Sequence, residues 1–143
     1  MNIMPGIEAT SSALQAEKLR LDIIGQNIAN AHTTRGVDGK PYARQMVQFE
    51  AKLMQLGVGP DGRQTMAQGV SVRDVVTDKT PGQVVFNPGH PDADEKGNVR
   101  LANVNLTHEM VDLISASRSY EANLQVVRTS KQMAQQALKI GQG

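Results

Sequence analysis

The sequence predicts an α+β chain: two long terminal α-helices, an antiparallel coiled-coil-like pair, with a small antiparallel β or irregular insert between them. Three observations predict it. Residues 106–140 contain neither Pro nor Gly and keep an apolar period close to 3.5, residues 14–28 carry a second helical apolar pattern, and between them Gly or Pro recurs every few residues while the period changes. The expected organisation is one interleaved unit, with an N-terminal helix in residues 1–33, the insert in 34–104 and a C-terminal helix in 105–143.

The C-terminal stretch dominates. Leu106, Met110, Leu113, Ser117, Tyr120, Leu124, Val127, Lys131, Ala134 and Leu138 alternate steps of four and three, the spacing of a coiled-coil seam, and only Ser117 and Lys131 interrupt its apolar character. A second set, Val111, Ala122, Val126, Met133, Ala137 and Ile140, falls roughly opposite at about 100° per residue. A helix with two apolar faces needs two partners. Asn105 and Thr107 are both candidate N-caps, Glu109 and Asp112 follow where the helix dipole favours acids, and Lys139 with Gly141 marks the end.

At the N-terminus, Pro5 and Gly6 are expected to break regular structure, with Thr10, Ser11 and Ser12 as caps for a helix that starts between Ile7 and Ser12. Leu14, Leu21, Ile24 and Ile28 share one face, within about 80°, while Ala16, Leu19 and Ile23 form another. Gly25 costs about 1 kcal/mol relative to Ala in a helix interior; it either marks close approach by another backbone or reflects propensity alone. Gln26, Asn27 and Asn30 place amides among apolar positions, where a coiled coil uses them to fix register, although Asn30 could simply end the helix.

In the insert, Val37-Asp38-Gly39-Lys40-Pro41 reads as a turn and Tyr42 to Phe49 as a strand with Val47 and Phe49 on one face. Gly57 to Gly69 reads as a mobile loop around Pro60-Asp61-Gly62. Val70, Val72 and Val75-Val76, then Val84-Val85-Phe86, give two further short strands. Asn87-Pro88-Gly89-His90-Pro91 forbids regular structure, because two prolines withhold donors and restrict their predecessors; a stiff loop is expected.

Composition excludes several classes of function. With 39% hydrophobic but only 3% aromatic residues in 143, an elongated helical form suits the chain better than a dense globule. Fifteen basic and fourteen acidic side chains make no field that would attract nucleic acid or an anionic membrane. No cysteine is present, so disulfides and thiolate metal sites are excluded and the redox compartment stays open. Residues 1–6 lack the basic and apolar regions of a Sec-type signal, and nowhere do enough apolar residues run together to span a membrane. Export routes that read an uncleaved N-terminus leave no such mark.

No catalytic constellation is found. Asp92-x-Asp94-x-Lys96-Gly97 superficially matches a calcium loop, but Lys96 sits where a third oxygen ligand belongs and Asn103 replaces the closing Glu. A turn with Gly97 and Asn98 at positive φ and the acids facing water is expected instead. His32, His90 and His108 lack zinc-site spacing. Ser115, Ser117 and Ser119 have no nucleophile elbow or phosphate loop around them, so their short side chains serve close helix packing.

Certain motifs are nevertheless recognisable. Gln26-Asn27-Ile28-Ala29-Asn30, followed by Thr33 and a glycine, resembles the N-terminal signature of the bacterial flagellar axial proteins of rod and hook. Asn87-Pro88-Gly89-His90-Pro91-Asp92-Ala93-Asp94, Gly97, Asn103-Val104 and the run Ser115 to Asn123 together look like proximal-rod members of that family. The likeness covers essentially the whole chain in order, spacing and length. The Gly36-to-Tyr42 turn suits those members, since other axial proteins usually place Tyr directly after the Gly, whereas His32 and the extra Thr34-Arg35 depart from the N-terminal motif.

The resemblance implies a structural protein, not an enzyme, with no cofactor. Such subunits pass unfolded through the flagellar type III export apparatus and polymerise into a helical tube whose inner wall is made of paired terminal helices. The rod crosses the periplasm in the basal body and transmits torque; its neighbours are other proximal and distal rod proteins, the rod-base adaptor protein and the membrane ring. Neither nucleic acid nor membrane insertion is implied. The expected assembly interface is Leu14, Leu21, Ile24, Asn27, Ile28, Asn30, Tyr120, Asn123, Leu124 and Val127, with Asn27, Asn30 and Asn123 selecting register. The heptads alone also fit a helical coiled-coil adaptor of defined small oligomeric state, and a metal-dependent enzyme is the remaining alternative.

Overall fold

The computed structural model describes residues 4–58 and 64–141. Helix α1 spans Met4–Ala29, strands β1 and β2 span Gln45–Val58 and Gln64–Thr77, β3 and β4 span Val84–Phe86 and Asn98–Arg100, and α2 spans Leu106–Gly141. Two terminal helices thus flank an insert of small sheets, as the sequence predicts.

Helix α1 starts earlier than expected, at Met4. Pro5 does not break it, because in the first turn a missing N–H forfeits no intrahelical bond and the ring's fixed φ already suits a helix. At the other end the Asn30 N–H donates to the Gln26 carbonyl at 3.0 Å, the Asn30 side chain donates to that same oxygen at 2.9 Å, and its Oδ1 accepts from the Thr33 hydroxyl at 3.2 Å. Asn30 therefore closes the helix. The buried line of α1 runs through Ala16, Ile23, Ile24 and Asn27, with Leu14, Leu21 and Ile28 half-buried beside it. The space around Gly25 is open, with nothing within 4 Å of a Cβ placed there, so no other backbone segment among the described residues approaches it.

Strand β1 pairs with β2, and β3 with β4. The first pair is far longer than the sequence suggests: most of the stretch expected as a loop from Gly57 to Gly69 is strand, and of that loop only residues 59–63, with Pro60-Asp61-Gly62, lie outside the described residues. The reason is pairing, since the two strands face each other and satisfy backbone groups that Gln- and Gly-containing sequence would otherwise leave to water. Strand β4 was not foreseen. It pairs antiparallel with β3 in the register Val84↔Arg100, Val85↔Val99, Phe86↔Asn98.

Gly39, at φ +76°, turns the chain after α1, with the Gly36 N–H bonded to the Lys40 carbonyl at 2.7 Å. Residues 87–97 form a turn-rich loop without regular structure, as two prolines require. Gly97 takes φ +77° there, but Asn98 does not join it at positive φ; it enters β4. Nor do both acids face water: Asp92 Oδ2 accepts from the Thr34 hydroxyl at 2.7 Å and Oδ1 lies 3.5 Å from Arg35. Asp94 Oδ1 accepts from the N–H groups of Lys96 and Asn98 at 2.9 and 2.8 Å, an Asx turn.

The described chain forms two compact units. One comprises residues up to 19, 48–74 and 116 onward; the other comprises residues 20–47 and 75–115. In the first, Ala16 and Ala116 are buried, and Ser12 joins α1 to β2, its Oγ accepting from the Val70 N–H at 3.1 Å and donating to the Ala9 carbonyl at 2.7 Å. In the second, Ile23, Ile24, Ala31, Val99 and Ala102 are the buried apolar residues, and two polar residues, Asn27 and Glu109, are buried as well. No described helix is long and apolar enough to cross a membrane.

Candidate assembly site

Helix α2, with 36 residues, is the longest element among the described residues. Asn105 is its N-cap: its Oδ1 accepts from the His108 N–H at 3.2 Å and its carbonyl from the Glu109 N–H at 3.0 Å. Along the seam, Leu106, Leu113, Ser117, Tyr120, Leu124, Val127 and Ala134 are half-buried, while Met110, Lys131 and Leu138 are exposed. The opposite stripe is different. Val111, Ala122, Val126, Met133, Ala137 and Ile140 are all exposed, Ile140 at 81% and Val111 at 62%. A row of apolar side chains facing water on one side of a helix is a surface without its partner.

A polar cluster holds the start of this helix. Glu109 is 1% exposed; its Oε1 accepts from Arg44 Nε at 2.5 Å and its Oε2 from Asn27 Nδ2 at 3.0 Å. Arg44 Nη2 also reaches Asp112 at 3.5 Å. Asn27 uses every hydrogen-bonding position of its amide: Nδ2 also donates to the Gln45 carbonyl at 2.8 Å, and Oδ1 accepts from the Gln45 N–H at 3.0 Å and the Tyr42 hydroxyl at 2.9 Å. Asn103 completes the cluster, accepting from the Arg44 N–H at 2.6 Å and donating to the carbonyls of Asp78 and Thr80 at 3.1 and 2.8 Å. Burial, and secondarily the Glu109 charge, raises the pKa of the Tyr42 phenol. The Thr80 hydroxyl and N–H, bonded to the Asp78 carboxylate, hold its pKa below the ordinary value.

The ten residues expected at the assembly interface are placed unequally. Ile24 and Asn27 are buried within the chain, Asn27 with its bonds spent on this chain's own groups. Leu14, Leu21, Ile28, Asn30, Tyr120, Asn123, Leu124 and Val127 remain half-buried. Only Asn27 enters the polar cluster. Its other members were not foreseen as a group. One signal existed: Glu109 lies on the seam side of α2, in angular register with Leu106, Leu113 and Tyr120, so its burial could have been inferred. Nothing in the sequence pairs Arg44 with it.

This arrangement contains no nucleophile and base in reach of one another, and its polar groups are satisfied by each other; it fixes geometry. Comparison with known proteins agrees. Residues 7–35 match the family described as "Flagella basal body rod protein", and residues 95–140 match "Flagellar basal body rod FlgEFG protein C-terminal". The chain is 41% identical to the "Flagellar basal-body rod protein FlgC" of Borreliella burgdorferi, aligned over the full length of both. It is 42% identical to the protein of that name from Yersinia enterocolitica over 99% of this chain and all of the other, and 36% identical to that from Bacillus subtilis over 99% of each. These relatives are structural basal-body proteins, not enzymes. The chain belongs to the flagellar basal-body rod protein FlgC family and is a structural subunit of the rod in the flagellar basal body.

Proposed function

We propose that the chain polymerises through its terminal helices into a helical tube that crosses the periplasm and transmits torque. The observation that carries this reading is the exposed stripe on α2 from Val111 to Ile140, opposite a half-buried seam. One face packs within the subunit and the other receives a neighbouring subunit. The last turn of α1 bonds to the first turn of α2 through Asn27 and Glu109, and this end-to-start link supports the coiled-coil-like pair. The seam packs within the subunit only in part: Leu14, Leu21, Ile28, Asn30, Tyr120, Asn123, Leu124 and Val127 stay half-buried, and what they leave free extends the contact surface beyond the stripe, with residues 34–104 outside the tube. The neighbours are proximal and distal rod proteins, the rod-base adaptor protein and the membrane ring, reached through the flagellar type III export apparatus.

Met133→Asp tests the reading. Met133 is 52% exposed, so the monomer should unfold within about 0.5 kcal/mol of the native chain. Incorporation into rods, scored in basal bodies from a strain carrying only this variant, should be lost. Normal swimming with the variant in the rod would refute the helix-mediated tube, and a fixed dimer of the native chain in sedimentation would favour a small-oligomer adaptor.

A further inference from the structure

The carboxylate of Glu109 is buried more deeply than a helix-start acid needs to be. An acid in the first turn gains from the helix dipole while still in water, whereas this one is 1% exposed and would be costly without partners. Both oxygens are taken, one by Arg44 and the other by Asn27. Asn27 in turn grips the Gln45 backbone at both its N–H and its carbonyl. The end of α1, the start of β1 and the first turn of α2, separated by as many as 82 positions, therefore meet at one carboxylate.

Stability alone does not call for this chemistry, because apolar residues of similar volume commonly replace a buried ion pair at no loss. What ions and amides add is directionality: each bond is satisfied in one geometry, and a slipped arrangement leaves a buried group unpaired. We propose that Glu109 is a positioning residue for rod assembly. Through Arg44 and Asn27 it fixes α1, β1 and α2 in the single relation from which subunits stack, and a chain without it folds but does not enter the rod. This rests on the reading of the terminal helices as the assembly surface.

The test uses the full chain with Arg44→Met and Glu109→Leu together, which fill the volume without charge. Thermal unfolding of the purified variant should stay cooperative with a midpoint only a few degrees below the native one, since Asn27 Nδ2 loses its Glu109 acceptor, while its incorporation into rods, at a temperature where it is fully folded, should be lost. A folded variant that incorporates normally overturns the proposal. If the double variant does not fold, Arg44→Lys is measured in the same way; it keeps the charge but cannot serve Glu109 and Asp112 together. Folding with impaired incorporation supports the proposal, whereas normal incorporation, or loss of folding here too, assigns the cluster to stability alone. Met133→Asp, measured alongside, separates the two readings: if it still incorporates, the helix surface is wrong, and the Glu109 result is read without it.

Discussion

The side chain of Asn27 stands against Gln45 as a neighbouring strand would, its Oδ1 accepting from the Gln45 N–H at 3.0 Å and its Nδ2 donating to the Gln45 carbonyl at 2.8 Å. A helix residue thereby supplies the backbone partner for the first residue of β1. Replacing Asn27 with Asp keeps the shape but removes both donors and sets a carboxylate against Glu109 and a carbonyl. Destabilisation of about 3 kcal/mol is expected in urea unfolding. An unchanged midpoint would contradict the assignment of these bonds.

That finding changes what the amides of the N-terminal motif do. In sequence, Asn27 and Asn30 look alike, polar residues at apolar positions near a helix end, and both suit register selection between chains. In the fold Asn30 closes α1 through Gln26, whereas Asn27 is buried and spent within its own chain. The helices were legible because periodicity is local: the seam from Leu106 and the second stripe from Val111 both stand where the spacing put them. The polar cluster was not, because its partners lie up to 82 positions apart and no pattern in one segment announces another. The long β1–β2 pair was hidden for a similar reason, since a segment with Gln at several positions becomes a strand only beside its partner.

Alkaline pH should act on the same cluster through Tyr42. Its phenol has a raised pKa in the fold, first from burial and then from the Glu109 charge, so the folded state prefers the protonated form. The resulting stability is present in full below the unfolded value near 10 and is lost as pH rises through the higher folded value. Tyr42→Phe should remove this pH dependence while costing about 1 kcal/mol at neutral pH, because the Asn27 oxygen loses one donor. Equal slopes of stability against pH above 10 in both proteins would show that Tyr42 is not responsible.

Gly97 makes a third test, confined to the β3–β4 pair. Its φ of +77° is costly for an L side chain, and a Cβ there would lie 2.9 Å from the Phe86 ring and 3.0 Å from Pro88. Gly97→Ala should therefore lower stability by about 1–3 kcal/mol. Amide shifts should concentrate in residues 84–100 with α2 unaffected, and a variant as stable as the native protein would argue against this turn.

Helix α2 should not be uniformly protected in the free chain. Its first three turns carry buried Glu109 and Ala116 and half-buried Leu113, but beyond Val127 only Ser130 and Ala134 are shielded even in part. Hydrogen exchange of dilute monomer should be slow across residues 109–117 and faster by a factor of ten or more, roughly 1.4 kcal/mol in local opening, across residues 131–140. Even protection along the whole helix would mean that the exposed stripe is not needed to hold it.

The two faces of α2 can finally be told apart by one substitution on each. Leu124 is half-buried on the seam, whereas Val126 is 51% exposed on the opposite stripe. An aspartate at Leu124 forfeits apolar burial and partly desolvates a charge, so the free chain should lose about 1–3 kcal/mol as well as its place in the rod. An aspartate at Val126 already faces water and should leave the free chain's unfolding unchanged, yet it would meet a neighbour's apolar surface and block stacking. The pairing of the two measurements decides the matter: if Val126→Asp weakens the monomer as much as Leu124→Asp, the stripe is internal packing, and if neither blocks incorporation, neither face of α2 is an assembly surface.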